Sequence, residues 1–551
     1  MENREDLRSI LNYLPLKLQS STLVWPTPVI EALEALSKGP SHSRVDSGEV
    51  FFLAIADIRN SLSLSSHHLA SSVSDGFTLF FDEFLSRAEA AKWFQEVVPV
   101  MANLLLRLPT LLESHYQYSD IIIVGVETGL RLLDSQQAGI VFLSQELIAA
   151  LLTCSLFCLF PNANRGANHL PKINFDYLFA ILYESYHESH ENKIKCLIHY
   201  FERISSCTPV GFVSFERKVL SLEPNLPCVC YPDTNVWSKS RVSLCPFEVC
   251  SSGLIEDQLK GALEVDFANM NLGGGALSRG CVQEEIRFMI NPELIAGILF
   301  LPSMSDNEAI EIVGAERFSN YTGYASTFRY SGDHVDRREV DSLGRRMTRI
   351  VAIDALSRPG KRQYKLDYVL REVNKAFCGF LDTSKYPQYQ MLLEHNDSHE
   401  DQLRNDYMDA CDSSETRPAG VEDCTTSSEI HEDRYNNPTK TNPGMADNME
   451  VDQTDVGIVT GNWGCGAFGG DPEVKTVIQW LAASQALRPF IAYHTFELKE
   501  LEKLDQVCAW ILAHKWTVGD LWTMLVDYCN KREKGETKLG FISWLVPTLS
   551  R

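Results

Sequence analysis

Two adjacent carboxylates, Glu284 and Glu285, stand in Gln283-Glu284-Glu285, which follows the triplet Gly273-Gly274-Gly275 after a gap of seven residues. The run opens as Val265-Asp266-Phe267-Ala268-Asn269, which reads as a strand, and Gln283 stands just ahead of the pair. Glycines take positive φ without a Cβ penalty and let backbone approach a ligand closely. Carboxyls held near apolar groups, as these are near Ile286, Phe288, Met289 and Ile290, hold their protons more tightly, which suits proton donation to a leaving group. The same residues also fit a plain loop entering a helix, because Glu in a first turn favours the helix dipole. From these residues alone the two readings weigh equally.

A second run is Gly457-Ile458-Val459-Thr460 followed by Gly461-Asn462-Trp463-Gly464-Cys465-Gly466-Ala467-Phe468-Gly469-Gly470, with five glycines in its last ten residues. Asp471 as N-cap, Pro472 as first helical residue and Glu473 in the first turn then predict a helix to about Leu487. Strand, glycine loop and helix N-terminus together can hold phosphate on backbone N–H groups. No Gly-Lys-Ser/Thr follows and the dinucleotide spacing is missing, so a pyrophosphate cradle of another type is the reading. Tyr321-Thr322-Gly323-Tyr324 puts two aromatic rings in a turn, a candidate platform for a nucleobase beside such a cradle.

These segments need elements to carry them. The chain has 551 residues, 44% hydrophobic and 22% charged, which is globular and long enough for several domains. Its net charge of −23 disfavours binding nucleic acid by general electrostatics. Residues 1–220 have helical texture and 221–551 alternate short β-rich runs with helices, so the expectation is a helical domain followed by an α/β or α+β sheet domain. Residues 395–455 carry sixteen Asp+Glu against four Lys+Arg and only four of Leu, Ile, Val or Phe, which predicts a disordered acidic insertion within the second domain. The fifteen cysteines are scattered and the first residues lack an apolar signal core, which reads as a reduced, intracellular protein. Cys228, Cys230, Cys245 and Cys250 have no usual zinc spacing, and His187, Glu188 and His190 read as a solvated face, so no metal site is expected. Ile148 to Phe160 is too short to span a bilayer and reads as a buried helix, with no membrane association expected.

The Gly273–Gly275 triplet, the gap and Gln283-Glu284-Glu285 resemble the signature of the poly(ADP-ribose) glycohydrolases. The resemblance extends to Val265 to Asn269, Ile286-Arg287-Phe288, Asn291 to Leu294, the Tyr321 to Tyr324 turn, Ala352 to Ala355 and Thr460 to Gly470, covering most of residues 205–551. The N-terminal part is similar to the helical accessory domain of the eukaryotic enzymes, and the compact length resembles the plant-type members. This implies a macrodomain-like mixed sheet flanked by helices, an N-terminal all-α domain, and hydrolysis of ribose–ribose bonds without a cofactor. By resemblance Glu285 is the catalytic acid, with Glu284 and Asp266 beside it, and Asn269 and Gln283 contact the ribose or order the loop. Asn462, Trp463, Gly464, Cys465, Gly466 and Ala467 would wrap the diphosphate, and Phe468 would pack on the distal ribose. Ile255, Glu256 and Tyr324 would hold the adenine, with Phe496 nearby. The implied partners are poly(ADP-ribose) and the proteins that carry it, in nucleus or cytoplasm, with no sequence-specific nucleic acid. The rivals are an ADP-ribose reader without turnover and a hydrolase of terminal protein-linked ADP-ribose; a reader needs the glycine loop but not the acid triplet.

Overall fold

The computed structural model describes residues 1–389 and 456–549, apart from 65–68, 164, 224–228, 258–260, 383, 384, 386 and 387. The acidic segment 395–455 therefore lies outside the described residues. Among those described, twelve strands form: β1 (Lys17–Gln19), β2 (Thr22–Val24), β3 (Gly139–Ser144), β4 (Phe212–Val219), β5 (Phe247–Cys250), β6 (Leu263–Asp266), β7 (Glu308–Gly314), β8 (Ser319–Thr322), β9 (Arg329–Asp333), β10 (Arg346–Ala352), β11 (Ile458–Gly461) and β12 (Ile491–His494).

Eight of them make one mixed sheet in the order β3-β4-β7-β10-β6-β11-β12-β5. Neighbours from β10 to β5 run parallel. β3, β4 and β7 pair antiparallel with one another, and β7 with β10. Strands covered on both faces read as continuous apolar runs rather than alternating ones, and every residue of β6, β11 and β12 is buried. After β6 the chain goes on to β7 on one side, whereas after β11 it passes to β12 on the other. β6 and β11 thus flank a switch point, where a crevice opens beyond the carboxyl ends of parallel strands.

The N-terminal part is mostly helical, as its texture predicts, and packs around an aromatic core in which Phe51 meets Phe81 edge-on at 5.8 Å and Phe157 at 5.3 Å. Such pairs add about 0.5–1.5 kcal/mol each beyond area burial. It is not wholly helical, however: β3 and β4 precede residue 220 and join the main sheet, which therefore crosses the boundary read from texture. The apolar run Ile140 to Leu143 leads straight into the helix Gln145–Leu156, and such a run cannot be told from buried helix by periodicity. Every residue of Gln145–Leu156 except Glu146 is buried. The continuous helical run Arg87–Ile122 is long and apolar enough to cross a membrane by length and composition, yet Met101, Leu105, Leu108 and Leu112 are spent on the core.

Asp471 caps the helix Pro472–Gln485 as its sequence predicts, accepting the N–H groups of Glu473 and Val474. Glu473 is also buried and accepts the Ile542 N–H at 2.5 Å, fastening the C-terminal helix Phe541–Leu549. Burial pushes its carboxyl up to about 7, so the folded chain keeps a proton there that the unfolded chain releases near 4.5. The stability tied to that proton is complete below the ordinary carboxyl range and is lost as pH rises through about 7, on the order of 2 kcal/mol. Glu473→Gln should accordingly flatten the fall in melting temperature from about pH 5 to about pH 8. Parallel slopes for variant and wild type in thermal melts would count against the assignment.

Candidate active site

The glycine-rich turn after β6 wraps the first turn of the helix Gln283–Ile290. Glu284 is buried and accepts N–H bonds from Gly273 at 2.8 Å and Asn269 at 2.9 Å. Glu285 accepts from Gly275 and Val282, both at 2.9 Å, one on each oxygen. Gly274 has φ +48°, and a Cβ on it would lie 2.4 Å from a Glu284 oxygen and 2.9 Å from a Glu285 oxygen, so the turn tolerates no side chain there. Gln283 uses both ends of its amide at the close of β6, accepting from the N–H of Phe267 just past the strand and donating to the Val265 carbonyl within it. Of the two roles implied for it, the geometry gives the ordering of the loop. Asn269 Oδ1 closes a local turn onto Asn271 N–H at 3.0 Å.

Asp266 ends β6 beneath this turn, 1% exposed, with neither carboxyl oxygen hydrogen-bonded. Burial, and then Glu285 nearby, pushes it up to about 7 against the pull of Arg287. Burial raises Glu284 far above the ordinary range too, reinforced by Asp266 and Glu285, while its two N–H bonds pull the other way. Arg287 is itself taken by Glu264 at 2.6 Å. Asp266 and Glu284 thus both hold a proton more tightly than an ordinary carboxyl does.

The opposite wall follows β11. Gly464 has φ +74°, and the loop closes on itself through Cys465 N–H to Asn462 O and Gly470 N–H to Gly464 O. The N–H groups of Gly464, Gly466, Ala467 and Phe468 donate to no group of the protein among the described residues. The helix terminus behind them is not free: Asp471 occupies its first amides, and Gln363 takes the Asp471 N–H. An anion here would be held by the loop amides, a nest, and not by the helix end that the strand–loop–helix pattern suggested. Trp463 also differs from a wrapping residue. Its indole is fully buried, donates to Ile353 O at 2.8 Å and pins the loop, and its backbone N–H is taken by Gly461 O at 2.8 Å.

The two walls enclose a cleft of about 650 Å³. Ile255 and Glu256 reach it after β5, Phe496 after β12, and Tyr324 from the β8–β9 connection. Tyr324 and Phe496 are 53% and 46% exposed, apolar rings left open at the rim. Tyr321 lies beside them and donates its hydroxyl to Glu256, a pairing that fixes this end of the cleft. The sixteen residues expected at the site all line the cleft except Asp266, which lies behind its wall. Among the described residues no His, Cys, Asp and Glu group could hold a metal ion.

Residues 234–503 match the poly(ADP-ribose) glycohydrolase macro-domain-fold model, and residues 85–217 match the helical-domain model of the same family. The chain is 57% identical to poly(ADP-ribose) glycohydrolase 1 of Arabidopsis thaliana, over 100% of this chain and 98% of that one. The chain belongs to the poly(ADP-ribose) glycohydrolase family. It is also 50% identical to probable poly(ADP-ribose) glycohydrolase 2 of Arabidopsis thaliana over the whole of both chains. A Caenorhabditis elegans poly(ADP-ribose) glycohydrolase 1 is 30% identical over 60% of this chain and 35% of its own.

In this member of the family the helical part reaches the glycine turn. His190, read from sequence as solvated, is 3% exposed, and its Nε2 lies 2.7 Å from Ser278 O. Burial pulls it down to about 4. His187 and Glu188 remain exposed on the same helix, Glu188–Ser206, and its preceding residue. A polar stretch meets a partner here that lies some ninety residues away, which its local pattern could not reveal.

Proposed function

We propose that the chain hydrolyses the ribose–ribose O-glycosidic bonds of poly(ADP-ribose) and releases ADP-ribose, with Glu285 as its acid and base. The observation that carries this is a carboxylate-bearing helix turn facing a loop with four unspent N–H groups across one cleft. Ordinary glycosidases set two carboxyls across the sugar, about 5 to 9.5 Å apart. Glu284 and Glu285 are instead neighbours on one helix turn, and the loop Gly464 to Phe468 carries no carboxylate. One working acid is the simpler reading. Glu285 protonates the departing ribose oxygen as the glycosidic bond breaks and positive charge develops on the other ribose. Its carboxylate then takes a proton from the incoming water, which adds to the anomeric carbon from the same side. The diphosphate on the loop amides fixes the sugar and steadies that cation. Protonated Glu284 and Asp266 keep the site from crowding with negative charge, and Glu284 faces the ribose hydroxyls.

Incubation of the purified protein with poly(ADP-ribose), followed by chromatography, should yield free ADP-ribose. Binding without release would leave a reader. Tyr324 supports the base end of the ligand. Stacking of an aromatic ring on a base contributes about 1–3 kcal/mol, so Tyr324→Ala should raise KM about tenfold and leave kcat within about twofold. A fall in kcat at unchanged KM would put Tyr324 in the chemistry instead.

A further inference from the structure

The strongest unexplained group near the cleft is a buried lysine from the other part of the chain. Lys193 lies on the helix Glu188–Ser206 and is 1% exposed. Its Nζ donates to Gly280 O at 2.6 Å, Ser278 O at 2.7 Å and Gly275 O at 3.3 Å, so each ammonium proton has a carbonyl. It makes no ion pair among the described residues. Burying a cation without a carboxylate partner costs several kcal/mol, which a merely space-filling residue would not require.

The three carbonyls belong to the turn that encloses Glu285. Gly275, whose carbonyl Lys193 holds, donates its own N–H to one Glu285 oxygen, and Val282, two residues past Gly280, donates to the other. A Cβ on Gly280 would lie 2.6 Å from the Glu285 carboxyl carbon, so this backbone is pressed against the carboxyl. His190, one turn earlier, shares Ser278 O. Two side chains of one helix thus clamp a loop otherwise held by its own turns, by the Glu284 and Glu285 carboxyls and by the buried side chains of Ala276 and Leu277.

We infer that Lys193 is a positioning residue for the acid: through it the helical domain fixes the loop that orients Glu285, so that this domain completes the active site rather than merely adjoining it. The inference rests on the reading of Glu285 as the acid. A carboxyl displaced by about 1 Å loses on the order of 100-fold in rate, whereas the diphosphate cradle on the far wall touches neither Lys193 nor its loop.

The test uses the full chain with Lys193→Met and Glu285→Gln side by side, measuring steady-state turnover of poly(ADP-ribose), calorimetric binding of ADP-ribose and thermal melting. Lys193→Met is expected to lower kcat about 100-fold with KM and ADP-ribose affinity within about threefold. Wild-type kcat, or parallel losses in kcat and ADP-ribose binding, would overturn the proposal, the second outcome marking a collapsed cleft. If Lys193→Met does not melt cooperatively, Lys193→Gln, which removes the charge but keeps two N–H donors, is measured by the same criterion. Active Glu285→Gln would sink the assignment of the acid itself; inactive Glu285→Gln beside fully active Lys193→Met would sink this inference alone.

Discussion

Glu285→Gln is expected to lower kcat by about three orders of magnitude or more, because a positioned acid–base group contributes roughly 10²- to 10⁴-fold and here one group serves both steps. The amide keeps the volume of the carboxyl and one acceptor oxygen, but it carries no proton to give. It also turns an NH₂ toward one of the two backbone donors, Gly275 N–H or Val282 N–H, that the carboxyl now satisfies. That mismatch costs about 1–3 kcal/mol locally, and it falls on the acid's own turn rather than on the cradle. ADP-ribose affinity should therefore stay within about threefold of wild type. Calorimetry and turnover on the same preparation decide the matter: equal losses in both would mean that Glu285 builds the cleft, and wild-type turnover would move the acid elsewhere.

How far the site could be read from the sequence depends on the range of the interactions that make it. The helix after the second glycine loop was legible from Asp471, Pro472 and Glu473 because a cap is a contact over two or three residues. The glycines and carboxyls of the acid turn also lie within about a dozen positions, but by themselves they fit a plain loop entering a helix equally well, and only the resemblance gave them a role. What the cap does to a ligand was not legible. The signal that announces the helix also fills its first amides, and only the hydrogen bonds reveal that the anion site moves onto the loop. Trp463 belongs to the same loop, yet its direction is set by Ile353 O, more than a hundred residues away. Tyr321 reads as a turn aromatic, but its partner Glu256 lies sixty-five residues earlier. Lys193 and His190 carry no local signal at all, because polar residues on an amphipathic helix read as solvated until another segment covers them. The two main-sheet strands before residue 220, β3 and β4, were hidden differently, the first by an apolar run continuous with a buried helix.

Gly464→Ala should produce the opposite pattern to Glu285→Gln: loss of binding with the acid untouched. At φ +74° alanine pays about 1 kcal/mol against glycine. The larger effect is steric, because its Cβ would lie 2.5 Å from the Ala355 Cβ, far inside contact distance. Ala355 is buried just past β10 and cannot withdraw. The next neighbours, Lys475 Cε and Nζ at 3.4 and 3.3 Å, are no softer. Lys475 is buried, pairs with Glu372 and sits 4.0 Å from the centre of the Trp463 ring. The loop itself must therefore move, and overpacking of this kind costs typically about 1–3 kcal/mol. Its free amides at Gly464, Gly466, Ala467 and Phe468 are then displaced from their places in the cleft wall. ADP-ribose affinity is expected to fall about 100-fold, equal to about 2.7 kcal/mol, and kcat/KM to fall with it, while kcat at saturating polymer changes much less. Wild-type affinity in Gly464→Ala would mean that the diphosphate does not rest on this loop. A fall in kcat as deep as that in affinity would mean instead that the loop acts on the transition state, fixing the sugar's diphosphate most tightly when positive charge develops on the ribose.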